Sequence, residues 1–164
     1  LSPKQNREVP PLRYDFVHRL KRDFPALTIV LNGGLDDWDG IERELAHVDG
    51  VMLGRAAYHD SYCLATIDAQ VFGGVAATRA EVVERMHAYA TAQVARGTPL
   101  RSIARHMLGL YQGRPGARAW RRMLSDPIEL KKNDPRLLLR ALEVAENGDR
   151  PHFSHLSLAA CQPT

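Results

Sequence analysis

The chain has 164 residues, of which 45% are hydrophobic and 25% charged, with a formal net charge of +3. These values are ordinary for a soluble globular chain and leave room for one medium domain or two small ones. No apolar run approaches the length of a membrane span, no signal peptide is visible, and two cysteines are too few for a disulfide framework or a metal cluster, so we expect a cytoplasmic protein.

The first pattern along the chain is a short capped turn. Ser2, Pro3 and Gln5 are typical of the N-cap, N1 and N3 positions of such a turn. This spacing places Lys4 and Arg7 on neighbouring sides of it. By spacing alone, a solvated turn is favoured over a binding site for these two cations.

A strand–helix–strand unit follows. Residues 15–23 predict a helix, with Val17, Leu20 and Phe24 on its apolar side, and Pro25 ends it. Residues 27–31 and 51–53 are short apolar runs that predict two strands. The helix between them has an apolar stripe of Trp38, Ile41, Leu45 and Val48. A connection of this length predicts parallel pairing with a right-handed crossover.

Each predicted strand opens onto a glycine-bearing loop. The loops are Asn32-Gly33-Gly34 and Gly54-Arg55, and both are expected at the same edge of the sheet, where α/β folds bind ligands. Glycine lets a backbone approach an anion, a following helix start attracts negative charge, and arginine offers a fork of donors. Either loop alone is usually only a turn, but the pair favours a phosphate site.

The rest of the chain is predicted to be helical. Residues 65–72 form a short apolar helix, and a capping box at Thr78 and Glu81 starts a longer one. Pro99 is expected at the first position of the next helix, residues 117–125 form another, and Asp134 with Pro135 caps the last. The inward residues are predicted to be Val82, Met86, Tyr89, Gln93, Ile103, Met107, Leu110, Leu138, Leu142 and Ala145.

The helix at 117–125 carries a second candidate site. Residues 96–122 contain seven arginines and no acid. In this helix one side is Ala117, Trp120 and Leu124, and the opposite side is Arg118, Arg121 and Arg122. Trp120 is favoured as a core residue over a base-stacking one. The arginines are either a solvated face or, because solvated faces normally mix charge signs, a contact for a phosphate backbone.

The histidines and cysteines carry no clear signal. His18, His47, His87, His106, His152 and His155 lack metal-ligand spacing, so we expect no metal site. His59 lies close to the Gly54-Arg55 loop without an assigned role. Cys63 is interpreted as a small buried residue rather than a nucleophile, and Cys161 lies in the tail.

Four segments also resemble a known family. LSPKQNR, LKRDFPALTIVLNGG, VDGVMLGRAAY and RHMLGLYQGRPGARAWRRMLS, in order between residues 1 and 125, are similar to the C-terminal part of the bacterial tRNA-dihydrouridine synthase A family. The resemblance implies an α/β fold class: the last βα units of an FMN-dependent (β/α)₈ TIM barrel, followed by an α-helical bundle that binds tRNA. The implied layout is a barrel end at residues 1–64, a helical domain at 65–148 and a tail at 149–164.

The resemblance also implies site residues and an activity. The cofactor-binding set, for the FMN phosphate, is Asn32, Gly33, Gly34, Gly54 and Arg55, and the tRNA-binding set is Lys4, Arg7, Arg118 and Arg121. The family uses NADPH to reduce uridines 20 and 20a of the tRNA D-loop to dihydrouridine. Its cysteine acid and most of its flavin-ring contacts come from earlier barrel loops, so no catalytic residue is expected here and the chain alone is expected to be inactive.

Two other functions remain open at this point. The chain could be a stand-alone tRNA-binding module, which predicts tRNA binding without flavin. It could instead be a fragment of another phosphate-binding barrel, which predicts binding of a phosphate ligand without any dependence on RNA. We expect a monomer in each case.

Overall fold

A computed structural model of the chain describes residues 11–147. These residues divide into two units between Ala77 and Thr78. In chain order the elements are α1 (Tyr14–Asp23), β1 (Val30–Asn32), α2 (Trp38–Leu45), β2 (Gly50–Met52), α3 (Arg55–His59), α4 (Cys63–Phe72), α5 (Arg79–Ala95), α6 (Leu100–Ala104), α7 (Ala117–Leu124), α8 (Pro127–Lys131) and α9 (Leu137–Asn147). None of the helices in this described part is long and apolar enough to span a membrane.

The two strands of the first unit pair in parallel, as the sequence predicts. Val30 lies opposite Gly50, and Asn32 opposite Met52. The first strand is shorter than the predicted 27–31 and ends one residue later. The reason is that side chains hold the preceding backbone: Asp49 accepts a hydrogen bond from Ile29 N over 2.8 Å. Ile29 O also accepts from Asp49 N over 3.1 Å, so this backbone is held next to β2 although it is not part of the strand.

Helix α2 closes one face of this pair. Asp37 caps it, with Gly40 N donating to Asp37 Oδ1 over 2.7 Å. The core of the unit consists of Leu31, Leu35, Ile41 and Val48, with Trp38 and Leu45 packed against it. The predicted apolar stripe of α2 is confirmed.

Helix α1 presents a different side from the predicted one. Val17 packs against the core, but Leu20 and Phe24 are exposed at 45% and 54%. The inward positions are instead Tyr14, Val17 and His18, spaced three and four residues apart. The prediction was wrong because two of these inward side chains are polar and find partners inside the unit.

The boundary between the units lies later than the predicted boundary after residue 64. Helix α4 belongs to the first unit, because Ile67 packs against the same core as the strands. The second unit then begins with the capping box. Thr78 N donates to Glu81 Oε2 over 2.7 Å, and Glu81 N donates to Thr78 Oγ1 over 3.2 Å.

The buried side of α5 is rotated from the predicted one. Val83 and Ala90 are fully buried, whereas Tyr89 is 52% exposed. The seven-residue step from Val83 to Ala90 defines a narrow stripe, and the small alanine lets α9 pack closely. Helical periodicity alone did not distinguish this stripe from the predicted one, which contains Val82, Met86 and Tyr89, because apolar residues occur on both sides of the helix.

Two helix starts differ from the prediction. Pro99 is the N-cap of α6 rather than its first residue, because the Leu100 N–H donates to Asn133 Oδ1 over 2.7 Å. Helix α9 begins at Leu137, and Asp134 instead accepts from Arg136 N over 3.0 Å in the preceding turn.

The core of the second unit surrounds Trp120. The predicted inward residues Ile103, Met107 and Leu110 of α6 and the turn after it are buried, as are Ala117, Trp120 and Leu124 of α7 and Leu138 and Ala145 of α9. At Gly116, which has φ +80°, an added Cβ would lie 2.1 Å from the backbone oxygen of Ala145. This glycine therefore sets how closely α7 approaches α9.

Candidate phosphate site and nucleic-acid interface

The two glycine loops meet at one cavity of about 580 Å³ at the C-terminal ends of the strands. We call it the edge cavity. Its lining consists of Asn32, Gly33, Gly34, Leu35, Asp36, Met52, Gly54, Arg55, Ala56 and His59. The structure thus brings together the five residues that the sequence assigned to a phosphate, and it does so because parallel strands end at the same edge.

The backbone of the first loop favours glycine at both positions. Gly33 and Gly34 have φ of +130° and +67°, values that side-chain-bearing residues rarely adopt. A Cβ on Gly34 would also lie 2.5 Å from Leu12 Cδ1. Tyr14 Oη donates to the Gly33 carbonyl over 2.5 Å and so fixes the turn from behind. Burial, and next the charge of Glu44, raise the pKa of Tyr14, so the hydroxyl keeps its donor proton at neutral pH.

The second loop supplies the cation. Gly54 is the N-cap of α3 and Arg55 is its first residue. Because α3 is a single turn of five residues, its dipole is weak, and attraction for an anion must come mainly from the Arg55 guanidinium. His59 follows one turn later and also lines the cavity, whereas Asp36 adds an acid on its lining.

The composition of the edge cavity fits a phosphate group. Arg55 offers a charged fork of donors, Asn32 an amide, and the glycine turn a closely approachable backbone. The carboxylate of Asp36 repels an anion, so a phosphate is expected nearer to Arg55 than to Asp36. The volume also exceeds that of a phosphate alone and is typical of small-molecule sites.

The second candidate site is the exposed side of α7. Ala117, Trp120 and Leu124 are buried, and Arg118, Arg121 and Arg122 are exposed. We call these three arginines the arginine face. The division of the helix into a buried and a basic side is therefore as predicted.

One residue of the arginine face has a defined partner. Arg121 Nη1 donates to Gln112 Oε1 over 2.7 Å, so a neutral amide holds the guanidinium without cancelling its charge. The remaining predicted tRNA-binding residues, Lys4 and Arg7, lie outside the described residues. So do Cys161, His152 and His155.

Cys63 is partly buried rather than fully buried, which corrects the sequence interpretation. Its exposure follows from its position at the first turn of α4. Burial, and next the charge of Asp60, raise the pKa of the thiol, so it stays protonated and is a poor nucleophile. Within residues 11–147 no group of three or more His, Cys, Asp or Glu side chains is arranged to hold a metal ion.

Sequence reasoning missed several residues that shape these sites. Tyr14 contacts the glycine turn from 19 residues away, and no periodicity indicates this. Gln112 reaches Arg121 from a turn outside the helix. His59 had one usable signal, since it lies four residues after Arg55 and thus on the same side of a helical turn.

Comparison with known proteins gives a consistent match. Residues 2–146 match the family described as dihydrouridine synthase (Dus). Relatives named tRNA-dihydrouridine(20/20a) synthase include one from Synechocystis sp., 46% identical over 145 residues, which covers 87% of this chain and 43% of the relative. The relative from Shewanella oneidensis is 52% identical over 128 residues, which covers 77% of this chain and 38% of the relative. The relative from Escherichia coli K12 is 47% identical over 146 residues, which covers 88% of this chain and 42% of the relative.

The chain spans about two fifths of the length of these curated relatives. The family match nevertheless extends over nearly all of the described residues, from the glycine loops to the last helix. By this match, the chain belongs to the dihydrouridine synthase family.

Proposed function

We propose that this chain is the C-terminal part of a tRNA-dihydrouridine(20/20a) synthase, in which it binds the phosphate end of FMN and contacts tRNA. The observation that carries the proposal is the meeting of both glycine loops at the edge cavity, in a chain 46–52% identical to relatives of that name. Because the chain spans only part of those relatives, the reaction is assigned to the longer protein.

The cofactor role of this chain is confined to holding one end of the flavin. The family is generally flavin-dependent, and when bound, FMN reduced by NADPH supplies a hydride to C6 of the uracil ring. Arg55 and the turn of Asn32, Gly33 and Gly34 bind and orient the phosphate. Tyr14 contributes indirectly, because its hydroxyl keeps the turn in the shape that the phosphate needs.

The tRNA role is assigned to the arginine face. Arg118 and Arg121 contact backbone phosphates, and Lys4 and Arg7 add contacts from the N-terminal turn. Support comes from the exposure of Arg118 and Arg121 on the side of α7 away from Trp120. Such contacts position the RNA and raise affinity but carry no sequence information of their own.

The finer layout is also proposed here: β1 and β2 are the last strands of the TIM barrel, and the unit that begins at Thr78, rather than at the predicted residue 65, is the helical tRNA-binding domain. Val30 and Met52 support the barrel part, because both side chains are about half exposed, at 56% and 47%. Apolar strand residues of this kind are normally covered on both faces in a parallel sheet. We further propose a cytoplasmic monomer that binds no metal.

Titration of the chain with an unmodified tRNA transcript tests the RNA assignment. We expect Arg118→Ala and Arg121→Ala each to weaken binding and to reduce the slope of log affinity against log salt by about one unit. Arg85→Ala, an exposed arginine of α5 outside the face, is the matched control. Unchanged affinity and slope in both face variants would overturn the assignment and leave a solvated surface.

A further inference from the structure

A second groove, of about 620 Å³, lies in the helical unit between the start of α6 and the region of α8. We call it the α6–α8 groove. Its lining consists of Pro99, Arg101, Ser125, Pro127, Leu130, Lys131 and Asn133. It shares no residue with the edge cavity or with the arginine face, and it is large enough for a nucleotide-sized group.

The lining of the groove contains two cations and no acid. Arg101 and Lys131 are both exposed. Across residues 11–147, neither side chain has a carboxylate within ion-pair distance. Both charges are therefore available to a ligand that comes from solution.

The acids near the groove are already occupied. Asp126 accepts from Ile128 N over 2.8 Å and caps α8. Glu129 pairs with Lys132 and with Arg140. Asp134 pairs with Arg136 and, over 3.1 Å, with Arg140. The charges of Glu129 and Asp134 are thus balanced by basic partners, and Asp126 is engaged as a cap, which leaves Arg101 and Lys131 to set a positive local charge in the groove.

A polar wall of the groove is held in a fixed geometry. Asn133 adopts φ +54°, and its Oδ1 accepts from Leu100 N over 2.7 Å. With its carbonyl oxygen engaged, the side chain has only its NH₂ group left to offer as a donor. Ser125 adds a hydroxyl at the end of α7. Together with Arg101 and Lys131, these donors suit an acceptor-only group such as a phosphate.

The rest of the lining is apolar. Pro99, Pro127 and Leu130 contribute no charge and no side-chain donor. A ribose ring presents carbon atoms beside each phosphate, so an apolar surface next to donors fits a sugar–phosphate chain better than a free inorganic anion.

The groove also continues a surface already described. Arg118, Arg122 and Ser125 lie four and three residues apart, hence along one side of α7 and its end. At 1.5 Å per residue, Arg118 and Ser125 are about 10 Å apart along the helix axis. A strand lying on the arginine face therefore reaches the groove without leaving the protein surface.

We propose that the α6–α8 groove binds the sugar–phosphate backbone of RNA, with Arg101 and Lys131 contacting phosphate and the two prolines and Leu130 packing against ribose. This inference rests on the proposed function of the helical unit as a tRNA-binding domain. It extends the contact surface beyond the arginine face to the start of α6 and to α8, and it assigns no base specificity to the groove.

Two adjacent lysines give a matched test. Lys131 lines the groove, whereas Lys132 pairs with Glu129 and does not line it. In anisotropy titrations of the full chain with a labelled, unmodified tRNA transcript, Lys131→Ala and Arg101→Ala should each weaken binding by roughly three- to tenfold. Each should lower the salt slope by about one unit. Lys132→Ala removes the same charge and should change both quantities much less.

Each outcome decides between the groove and the arginine face. If Lys131→Ala and Arg101→Ala each lose more tRNA affinity than Lys132→Ala does, the result supports the groove, even when Arg121→Ala binds tRNA with normal affinity. A loss in Arg121→Ala alone overturns the groove and leaves the proposed function standing. Absence of tRNA binding by the unmodified chain overturns both. Saturable binding of inorganic phosphate that is lost in Lys131→Ala and Arg101→Ala, but that leaves tRNA affinity unchanged at constant ionic strength, also overturns the RNA assignment of the groove.

Discussion

The indole Nε1 of Trp120 donates a hydrogen bond to the backbone carbonyl of Met107 over 2.8 Å, and the whole side chain is buried. Its ring lies 5.0 Å from that of Tyr111. Trp120 therefore belongs to the core and is not available to stack on a base. The sequence favoured this role, and the hydrogen bond explains why a tryptophan is needed there.

Replacing Trp120 should separate packing from hydrogen bonding. Trp120→Ala should lower the free energy of unfolding by roughly 3–5 kcal/mol, because it leaves a large cavity. Trp120→Phe keeps most of the apolar contact and removes only the indole donor, because the Met107 carbonyl still accepts from Leu110 N over 3.0 Å, so the cost should be about 0.5–1.5 kcal/mol. Urea unfolding followed by circular dichroism measures both. If Trp120→Phe were as stable as the wild type, the hydrogen bond would contribute nothing.

Gly116 and Gly113 form a second matched pair. Both have positive φ, +80° and +71°, but an added Cβ meets the Ala145 backbone only at Gly116 and meets nothing at Gly113. Gly113→Ala should therefore lower the free energy of unfolding by about 1–2 kcal/mol, which is the penalty for placing a side-chain-bearing residue in the left-handed region. Gly116→Ala should cost clearly more, because α7 must move away from α9. Equal unfolding free energies for the two variants would contradict the close approach.

The lowered pKa of Asp134 predicts that the free energy of unfolding falls in acid. Burial acts to raise the pKa of this carboxyl, but hydrogen bonds from Arg136 and Arg140 outweigh it and hold the pKa at about 2, against an ordinary 3.8. Since the pKa of Asp134 is lower in the folded state than in the unfolded state, its ionised carboxylate stabilises the fold. This contribution to the free energy of unfolding is complete above pH 3.8 and is lost as the pH falls towards 2.

The matching variant is Asp134→Asn, which cannot ionise. The difference in unfolding free energy between wild type and variant should shrink as the pH is lowered from 5 to 2, and urea titrations at each pH measure it. A constant difference over this range would show that the carboxylate is not stabilised by its arginines. Glu129, whose pKa is also lowered, shares Arg140 with Asp134, so both proteins should also carry Glu129→Gln, which keeps the titration of Glu129 out of the comparison.

Under the proposed function, Arg55 controls flavin retention in the longer protein. Losing a charge-assisted contact to phosphate costs roughly 1.5–3 kcal/mol, or about ten- to a hundredfold in affinity. Arg55→Ala in the full-length protein should therefore purify with little FMN, as measured by absorbance of the flavin against protein. Arg22→Ala, exposed on α1 and outside the edge cavity, is the control. Full flavin occupancy in the Arg55 variant would contradict the proposed phosphate contact.

Much of the fold follows from local rules in the sequence. The capping box of Thr78 and Glu81 and the apolar stripe of α2 were readable because caps and helical periodicity depend on neighbours in the chain. The meeting of the two glycine loops followed from one rule of parallel sheets. The arginine face was predictable in the same way, because Trp120 fixes the buried side of α7.

The parts that could not be predicted depend on contacts between distant residues. The Asn133 side chain accepts a hydrogen bond from the first N–H of α6, 33 residues away. The Tyr14 hydroxyl donates to the Gly33 carbonyl, 19 residues away. The inward side of α1 is polar for the same reason, so a search for apolar residues selected the wrong side. The lining of the α6–α8 groove likewise combines two separate stretches of the chain, residues 99–101 and 125–133, which no single pattern connects.

The contact between His18 and Glu44 has a consequence for how variants of this protein should be interpreted. His18 Nε2 lies 2.6 Å from Glu44 Oε2, a carboxylate whose side chain is only 6% exposed. This pair ties α1 to α2, and α1 carries Tyr14, which holds the Gly33 turn. Substitutions at His18 or Glu44 should therefore appear in a screen as loss of cofactor, although neither residue lines the edge cavity.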